Sequence, residues 1–301
     1  MTQPISSARG IATMTVGYLL LGVQPVFVKL ATGEGLSSGQ TVALRFVIAL
    51  GLVVAVAASS GQSLRTAQPL VWTLRGVLGG AAVLLYFESV RAVGAGLGTL
   101  LNYTYPIWAN LLSWTIGERP SKTIWLALPL AILGTVLVVD PAGPTGIGPG
   151  ELCGLVSGGL SGAAIVCIKR LRRTDGELTI IASFSLVGLA LSLPALFWAP
   201  SVDVPGGPPE VAPIAWLYAL IVGLFSFYGH VYFTRGYKET TIQLGTVLSL
   251  LVPALATALG WALLDERLTP GAFVGALLIG AGVSVIAVRE RFGKRSPAGP
   301  N

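Results

Sequence analysis

Long apolar runs constrain this chain more than any other feature of its sequence. A helix needs about 20 apolar residues to cross the roughly 30 Å of hydrocarbon in a bilayer. Charged residues make up only 11% of the chain, against about 25% in an ordinary soluble domain. This composition excludes a soluble globular protein, and we predict an all-α integral membrane protein with ten transmembrane helices in a lipid bilayer. The predicted spans are residues 11–30, 39–58, 70–90, 95–117, 122–140, 151–169, 178–199, 214–235, 242–264 and 270–288.

The positive charges fall almost entirely on one side of these spans. Of the 19 Lys and Arg residues, 14 lie on the side of the N-terminus, 3 on the other side and 2 inside spans. Cytoplasmic loops carry the excess of Lys and Arg in membrane proteins. We therefore predict a multi-pass protein of the bacterial inner (plasma) membrane with both termini in the cytoplasm. Because the membrane accounts for the net charge of +6, no nucleic-acid partner is predicted.

Two segments of the chain are similar to each other. Residues 97–116 and 244–263 superpose with a shift of 147, and one extra residue then aligns the segments that follow. Corresponding lysines also end the first and sixth spans. The aligned pairs include Gly98 and Gly245, Thr99 and Thr246, Pro106 and Pro253, Trp114 and Trp261, Glu118-Arg119 and Glu266-Arg267, and Lys29 and Lys169.

The repeat divides the chain into two halves of five spans each, residues 1–140 and 151–301, joined by a linker at 141–150. An odd number of spans places the start of the second half on the opposite side of the membrane, so the two halves must be inverted. Inverted repeats with a site near the bilayer midplane are a recurrent plan of secondary transporters. The sequence therefore predicts two inverted five-helix repeats and transport by alternating access.

The prolines and the Glu-Arg pairs make the similarity more specific. Each half has a proline in its fourth span, followed twelve or thirteen residues later by Gly-Glu-Arg or Asp-Glu-Arg. This pattern resembles the EamA repeats of the drug/metabolite transporter superfamily. The resemblance implies a ten-helix exporter of small metabolites or amino acids. The aromatic-rich third and fourth spans are similar to those of YddG-type amino-acid exporters, which implies an amino-acid substrate, including aromatic ones.

Polar and aromatic side chains inside the spans are the candidate substrate contacts. Pro106 and Pro253 remove backbone donors and are predicted to break the fourth and ninth spans beside a cavity. The alternatives are simple helix kinks for the prolines, and packing or an interfacial belt for the aromatic residues. The candidate contacts are Gln24, Tyr86, Tyr103, Tyr105, Trp108, Tyr228, His230, Tyr232 and Trp261.

Charged residues at the ends of two corresponding spans are candidate gates. The third span ends in YFESVR (86–91) and the eighth in YFTRGYK (232–238), each with an aromatic pair before its charges. We predict that Glu88 closes the outer mouth and Arg235 the inner one. Glu88 has the alternative of pairing with Arg91 at the membrane surface, since the two are three residues apart on a helix.

Two arginines lie inside spans, Arg45 and Arg75. Either can bind a substrate carboxylate, and either can extend to the lipid headgroups instead. Because both lie within about two turns of a span end, the sequence favours the headgroups.

Motifs for other chemistry are missing from the sequence. It holds one histidine, two cysteines and no GxxxxGK[ST] motif, so no metal, cofactor or ATP-driven motor is predicted. We predict a transporter with a small-molecule substrate, and not an enzyme. The sequence is compatible with a monomer. The alternatives are a membrane-embedded enzyme acting on a lipid-linked substrate, and a transporter of sugars or nucleotide-linked metabolites.

Overall fold

The computed structural model describes residues 7–93, 95–118, 124–139, 148–197 and 211–264, with short helical pieces between 270 and 281. Within these ranges the secondary structure is helical and contains no strand. The α-helices are α1 (Ala8–Gly33), α2 (Ser38–Ser60), α3 (Pro69–Val93), α4 (Ala95–Asn102), α5 (Tyr105–Leu112), α6 (Ile124–Val139), α7 (Pro149–Leu171), α8 (Glu177–Phe197), α9 (Pro213–Gly236), α10 (Ile242–Leu248) and α11 (Leu251–Leu264). A 3₁₀ turn, Ser113–Ile116, follows α5.

Helices occupy the first nine predicted spans, and the tenth, 270–288, lies largely outside the described residues. Seven helical stretches in the described part of the chain are long and apolar enough to cross a bilayer. The prediction of a helical, multi-pass membrane protein is therefore confirmed, and the number ten stays a prediction. The fourth span is divided between α4 and α5, and the ninth between α10 and α11.

Capping residues define where α1 and α2 begin and where α2 ends. The Ser7 hydroxyl accepts a hydrogen bond from the Gly10 amide at 2.8 Å. Ser37 and Gln40 form a reciprocal capping box at the start of α2, which satisfies amides that a new helix leaves without partners. Gly61 ends α2 with a φ of 65°, a left-handed conformation that glycine adopts at little cost.

The core of the bundle is built from helices of opposite halves. α1 lies against α9, and α3 lies against α7. Glycines allow the close approach: a Cβ atom at Gly17 would lie only 2.9 Å from the Gly229 carbonyl oxygen of α9. Likewise, a Cβ at Gly158 of α7 would lie 3.0 Å from the Leu101 carbonyl oxygen of α4. Such small-residue contacts are typical of helix packing inside membranes.

The same set of helix contacts occurs twice. The first span packs on the eighth (α1 on α9), and the sixth packs on the third (α7 on α3). The first span also packs on the ninth through α11, and the sixth packs on the fourth through α4 and α5. Each contact becomes its counterpart when the two halves are exchanged, as expected for two copies related by a two-fold axis. The bounds of the two halves, residues 1–140 and 151–301, stay a prediction.

Candidate functional site

A cavity of about 500 Å³ lies between the two halves of the bundle. It reaches the surface at the end that holds Lys29, Thr32 and Ser38, which we call the open end. From there it extends to Tyr18 and Phe233, near the middle of α1 and the last turns of α9. A volume of this size is typical of a site for a small molecule.

Aromatic side chains form much of the cavity wall. Tyr86 bonds to the Thr99 hydroxyl across 2.9 Å, which links α3 to α4. The rings of Tyr103 and Tyr105 lie 5.5 Å apart at the break between α4 and α5. His230 stacks on Phe184 with ring centroids 4.9 Å apart. These rings give the cavity flat apolar surfaces with a few polar atoms at their edges.

Arg45 and Arg75 line this cavity, and only 4% of each residue is exposed. The Nε of Arg45 donates to the Ser226 hydroxyl of α9 at 2.6 Å. The guanidinium carbon of Arg75 lies 4.4 Å from the centre of the Phe184 ring, and that of Arg45 lies 5.3 Å from it. The expectation that both arginines extend to lipid headgroups is therefore wrong. The sequence shows how far along its span each arginine lies. Only the packing of the helices decides whether its side chain faces the lipid or the cavity.

The interrupted helix of the first half is held by side chains of α7. The amide of Asn102, the last residue of α4, donates to the hydroxyls of Ser157 and Ser161. The Thr104 hydroxyl donates back to the Leu101 carbonyl at 2.8 Å. Pro106 follows in the first turn of α5, where a missing amide hydrogen costs nothing. The break therefore places Tyr103 and Asn102 at the cavity wall.

The ninth span has a matching interruption. The chain leaves the α-helix at Ser249 and Leu250, between α10 and α11, and Pro253 lies in the first turn of α11. The Ser249 hydroxyl donates to the Thr246 carbonyl at 2.7 Å. Val252 of this segment reaches the cavity. Each half thus contributes one broken helix to the cavity wall.

A buried ionic network lies beyond the inner end of the cavity, which we call the closed end. The Lys169 ammonium lies 3.4 Å from the Glu118 carboxylate. It also donates to the backbone carbonyls of Tyr237, at 2.9 Å, and Thr240. The second carboxylate oxygen of Glu118 accepts from the Ile242 amide at 3.0 Å, at the start of α10. One ion pair therefore ties together α7, the end of the fourth span, α9 and α10.

Sequence reasoning did not select Lys169 and Glu118 as functional residues. Both belong to the repeat, since Lys169 corresponds to Lys29 and Glu118 to Glu266. The internal repeat therefore marked both residues, but it did not show that the lysine of one half contacts the glutamate of the other. That contact depends on how the halves pack.

Five of the predicted substrate contacts line the cavity, and the remaining four do not. Those in the wall are Gln24, Tyr86, Tyr103, Tyr105 and His230.

The other four candidates lie outside the cavity wall. Trp108, Tyr228 and Trp261 are between 46% and 54% exposed on the outside of the bundle, and Tyr232 is half-buried away from the cavity. Tyr228 and His230 are only two residues apart, which on a helix is a rotation of about 200°. We therefore propose no substrate-binding role for these four residues.

The predicted gate residues occupy the two ends of the bundle. Arg235 forms a two-nitrogen contact with the Glu177 carboxylate, at 2.7 and 3.1 Å, at the surface of the closed end. Arg172 lies 3.5 Å from the same carboxylate. Burial lowers the pKa of Arg172, and the nearby Glu177 charge opposes that shift. Glu88 is half-buried in the last turns of α3, toward the open end.

The described residues contain no group of three or more His, Cys, Asp or Glu side chains that could hold a metal ion. Cys153 and Cys167 are both free thiols on α7. The side chains of the cavity wall offer guanidinium, ammonium, imidazole, amide, hydroxyl and aromatic groups for binding a ligand.

Comparison with known proteins gives one consistent result. The profile of the EamA-like transporter family matches residues 8–140 and again residues 148–288. An uncharacterized transporter of Archaeoglobus fulgidus is 28% identical over 93% of this chain and 97% of its own length. The pseudopaline exporter CntI of Pseudomonas aeruginosa is 23% identical over 90% of this chain and 93% of its own. A crystal structure with 22% identity superposes with a TM-score of 0.78, covering 95% of this chain and 99% of that one, and shows the same fold.

Proposed function

The chain belongs to the EamA-like transporter family, and we propose that it exports amino acids or similar small metabolites across the bacterial inner membrane by alternating access. The observation that carries this proposal is the cavity between the halves, which reaches the surface at one end and is sealed by the Lys169–Glu118 network at the other. A site open on one side only is what alternating access requires of each of its states.

The symmetry of the contacts between the halves supports the same mechanism. The contacts between the halves recur when the halves are exchanged. The contacts at the closed end therefore have equivalents in the repeat that could close the open end in the other state. Both states are populated when their free energies differ by no more than a few kcal/mol. A relative named as a pseudopaline exporter favours outward transport.

The distribution of charge supports an orientation with the closed end in the cytoplasm. This end carries the termini of α7 and α9, which are rich in positive residues, and such residues remain on the cytoplasmic side. The state described here then opens to the outside of the inner membrane. The positive residues at this end include Lys169, Arg170, Arg172, Arg173, Arg235 and Lys238.

Thiol labelling in intact cells tests this orientation. In a background lacking the two native cysteines, single cysteines at Ser63 and Ser296 should resist a membrane-impermeant reagent, while one at Ser201 should react. Labelling at Ser63 from outside the cell would reverse the orientation.

Transport itself is tested with the purified protein in liposomes. Flux of a panel of radiolabelled amino acids is measured for the wild type, for Tyr103→Ala in the cavity wall, and for Tyr228→Ala on the outer surface. We expect Tyr103→Ala to reduce flux of a large apolar amino acid by about tenfold, since an aromatic contact of 1–1.5 kcal/mol or so is lost together with buried area. Tyr228→Ala is the matched control. Equal flux in all three proteins, or no flux of any amino acid, would contradict the proposal.

A further inference from the structure

Two buried hydrogen-bond donors that line the cavity have no partner in the described structure. They are the Nε of Arg75 and the side-chain nitrogen of Gln24. Buried polar groups in proteins are almost always paired, so an unpaired one needs an explanation. Because both groups donate hydrogen bonds, the missing partner is an acceptor.

The second arginine points to the same acceptor. Arg45 is held through its Nε by Ser226, a neutral hydroxyl, which leaves its charge without compensation. Arg45 and Arg75 share the Phe184 ring, with guanidinium carbons 5.3 and 4.4 Å from its centre. Two guanidinium groups therefore converge on one region of the wall, and each stays protonated because arginine is so strong a base.

The described cavity lining contains no carboxylate to balance these charges. Its charged residues are Lys29, Arg45 and Arg75, and no Asp or Glu is among them. Within the described residues neither arginine forms an ion pair. Burying unpaired charge is costly, and at this depth in a membrane ionisable groups are functional by default.

We propose that Arg45 and Arg75, with Gln24 in the wall of the same cavity, form a carboxylate subsite, and that the substrate is an amphipathic organic acid recognised by its negative charge. A guanidinium matches a carboxylate with paired N–H groups. The aromatic wall around Tyr86 and Tyr103 then receives the apolar part of the same molecule. This inference rests on the proposed transport function and narrows its substrate class: a carboxylate is required, and an ammonium group adds no affinity.

Three ligands that share a phenyl ring distinguish the contribution of a carboxylate to binding from that of an ammonium group. 3-Phenylpropionate carries only the carboxylate, L-phenylalanine carries both groups, and phenethylamine carries only the ammonium. Calorimetric titration of the purified wild type in nanodiscs should show 3-phenylpropionate binding at least as tightly as L-phenylalanine. Phenethylamine should bind at least about tenfold more weakly, the loss expected for a charge-assisted hydrogen bond. Failure of 3-phenylpropionate to bind, or equal binding of phenethylamine, would overturn the proposal.

A variant then assigns the effect to the arginines. Arg75→Gln should weaken 3-phenylpropionate binding by about tenfold or more and leave phenethylamine binding no weaker than before. Arg170→Gln is the matched control, since it removes the same charge from an exposed position of α7. If Arg75→Gln does not fold, Ser226→Ala releases Arg45 without removing a charge and should weaken the same ligand. Unchanged binding of 3-phenylpropionate in a folded Arg75→Gln protein would refute the subsite.

The same experiments separate this inference from the transport proposal. Binding of 3-phenylpropionate without binding or flux of L-phenylalanine would remove the amino-acid substrate and keep the subsite. Flux of L-phenylalanine that Arg75→Gln leaves unchanged would keep transport and remove the subsite.

Discussion

Equivalent lysines lie in opposite environments at the two ends of the bundle. Lys169 ends α7 at the closed end, where it is buried among the Glu118 carboxylate and two backbone carbonyls. Lys29, its counterpart in the repeat, lies near the end of α1 at the open end and is exposed. The residue type is the same, so the difference is produced by the helices around it. The ammonium group of a lysine at this position can be solvated by water when its end of the bundle is open. When that end is closed the group can be buried, provided that hydrogen-bond acceptors surround it.

Removing the carboxylate at the closed end should have the largest effect on this comparison. Glu118→Gln leaves the buried Lys169 charge uncompensated, and breaking one side of a buried ion pair costs about 3–5 kcal/mol. We expect the closed end to open. In a background without the native cysteines, a cysteine at Ser161 in the cavity should then react with an impermeant thiol reagent from the closed side.

The control for that experiment is Glu34→Gln, an exposed acid at the end of α1, which should leave the labelling unchanged. The double variant Glu118→Leu with Lys169→Met should restore much of the closure, because an apolar pair often replaces a buried ion pair without loss. Labelling of Ser161→Cys that is the same in Glu118→Gln and wild type would show that the pair is not what closes this end.

Changing the equivalent lysine at the open end should act in the opposite direction. If the halves exchange roles, Lys29 becomes buried when the open end closes, and Lys29→Met then weakens that second closed state. We expect flux to fall about fivefold, since a shift of roughly 1 kcal/mol in the balance of states is enough. Labelling of the Ser161 cysteine from the open side should rise. A shift toward the closed side would break the proposed symmetry.

The charges farther out should have the smallest effects. The side chain of Arg235 is 52% exposed, and its contact with Glu177 lies at the surface, where such pairs contribute about 0–1 kcal/mol. Arg235→Gln should favour opening of the closed end slightly, and Glu88→Gln should favour opening of the open end. Accessibility of the same cavity cysteine from each side measures both. A shift of both variants in one direction would exclude them as opposed gates.

Several features of the site were readable from the sequence because they depend on local chemistry. Two helices break near Pro106 and Pro253, and the break in the first half brings Tyr103 and Tyr105 to the cavity. Gln24 and His230 also reach it. A polar group in the middle of an apolar span needs a polar environment, and in a membrane bundle the interior is where one exists.

Aromatic residues were harder to place because they suit two environments. Trp108 and Tyr105 are three residues apart, yet Tyr105 is in the wall and Trp108 is 46% exposed. A ring can face lipid or substrate at similar cost, so hydropathy does not separate the two. Charged residues near span ends are ambiguous for the same reason, as the burial of Arg45 and Arg75 shows.

The sequence by itself determined that this is a helical membrane protein built from two related halves, because hydropathy and repetition are properties of the chain alone. Tertiary structure decided which face of each helix turns inward. It brought Lys169 to Glu118 of the other half and placed two arginines around one phenylalanine ring. A side chain's depth follows from its position along a helix, but its partner follows from the rotation of that helix against its neighbours, and only packing sets that rotation.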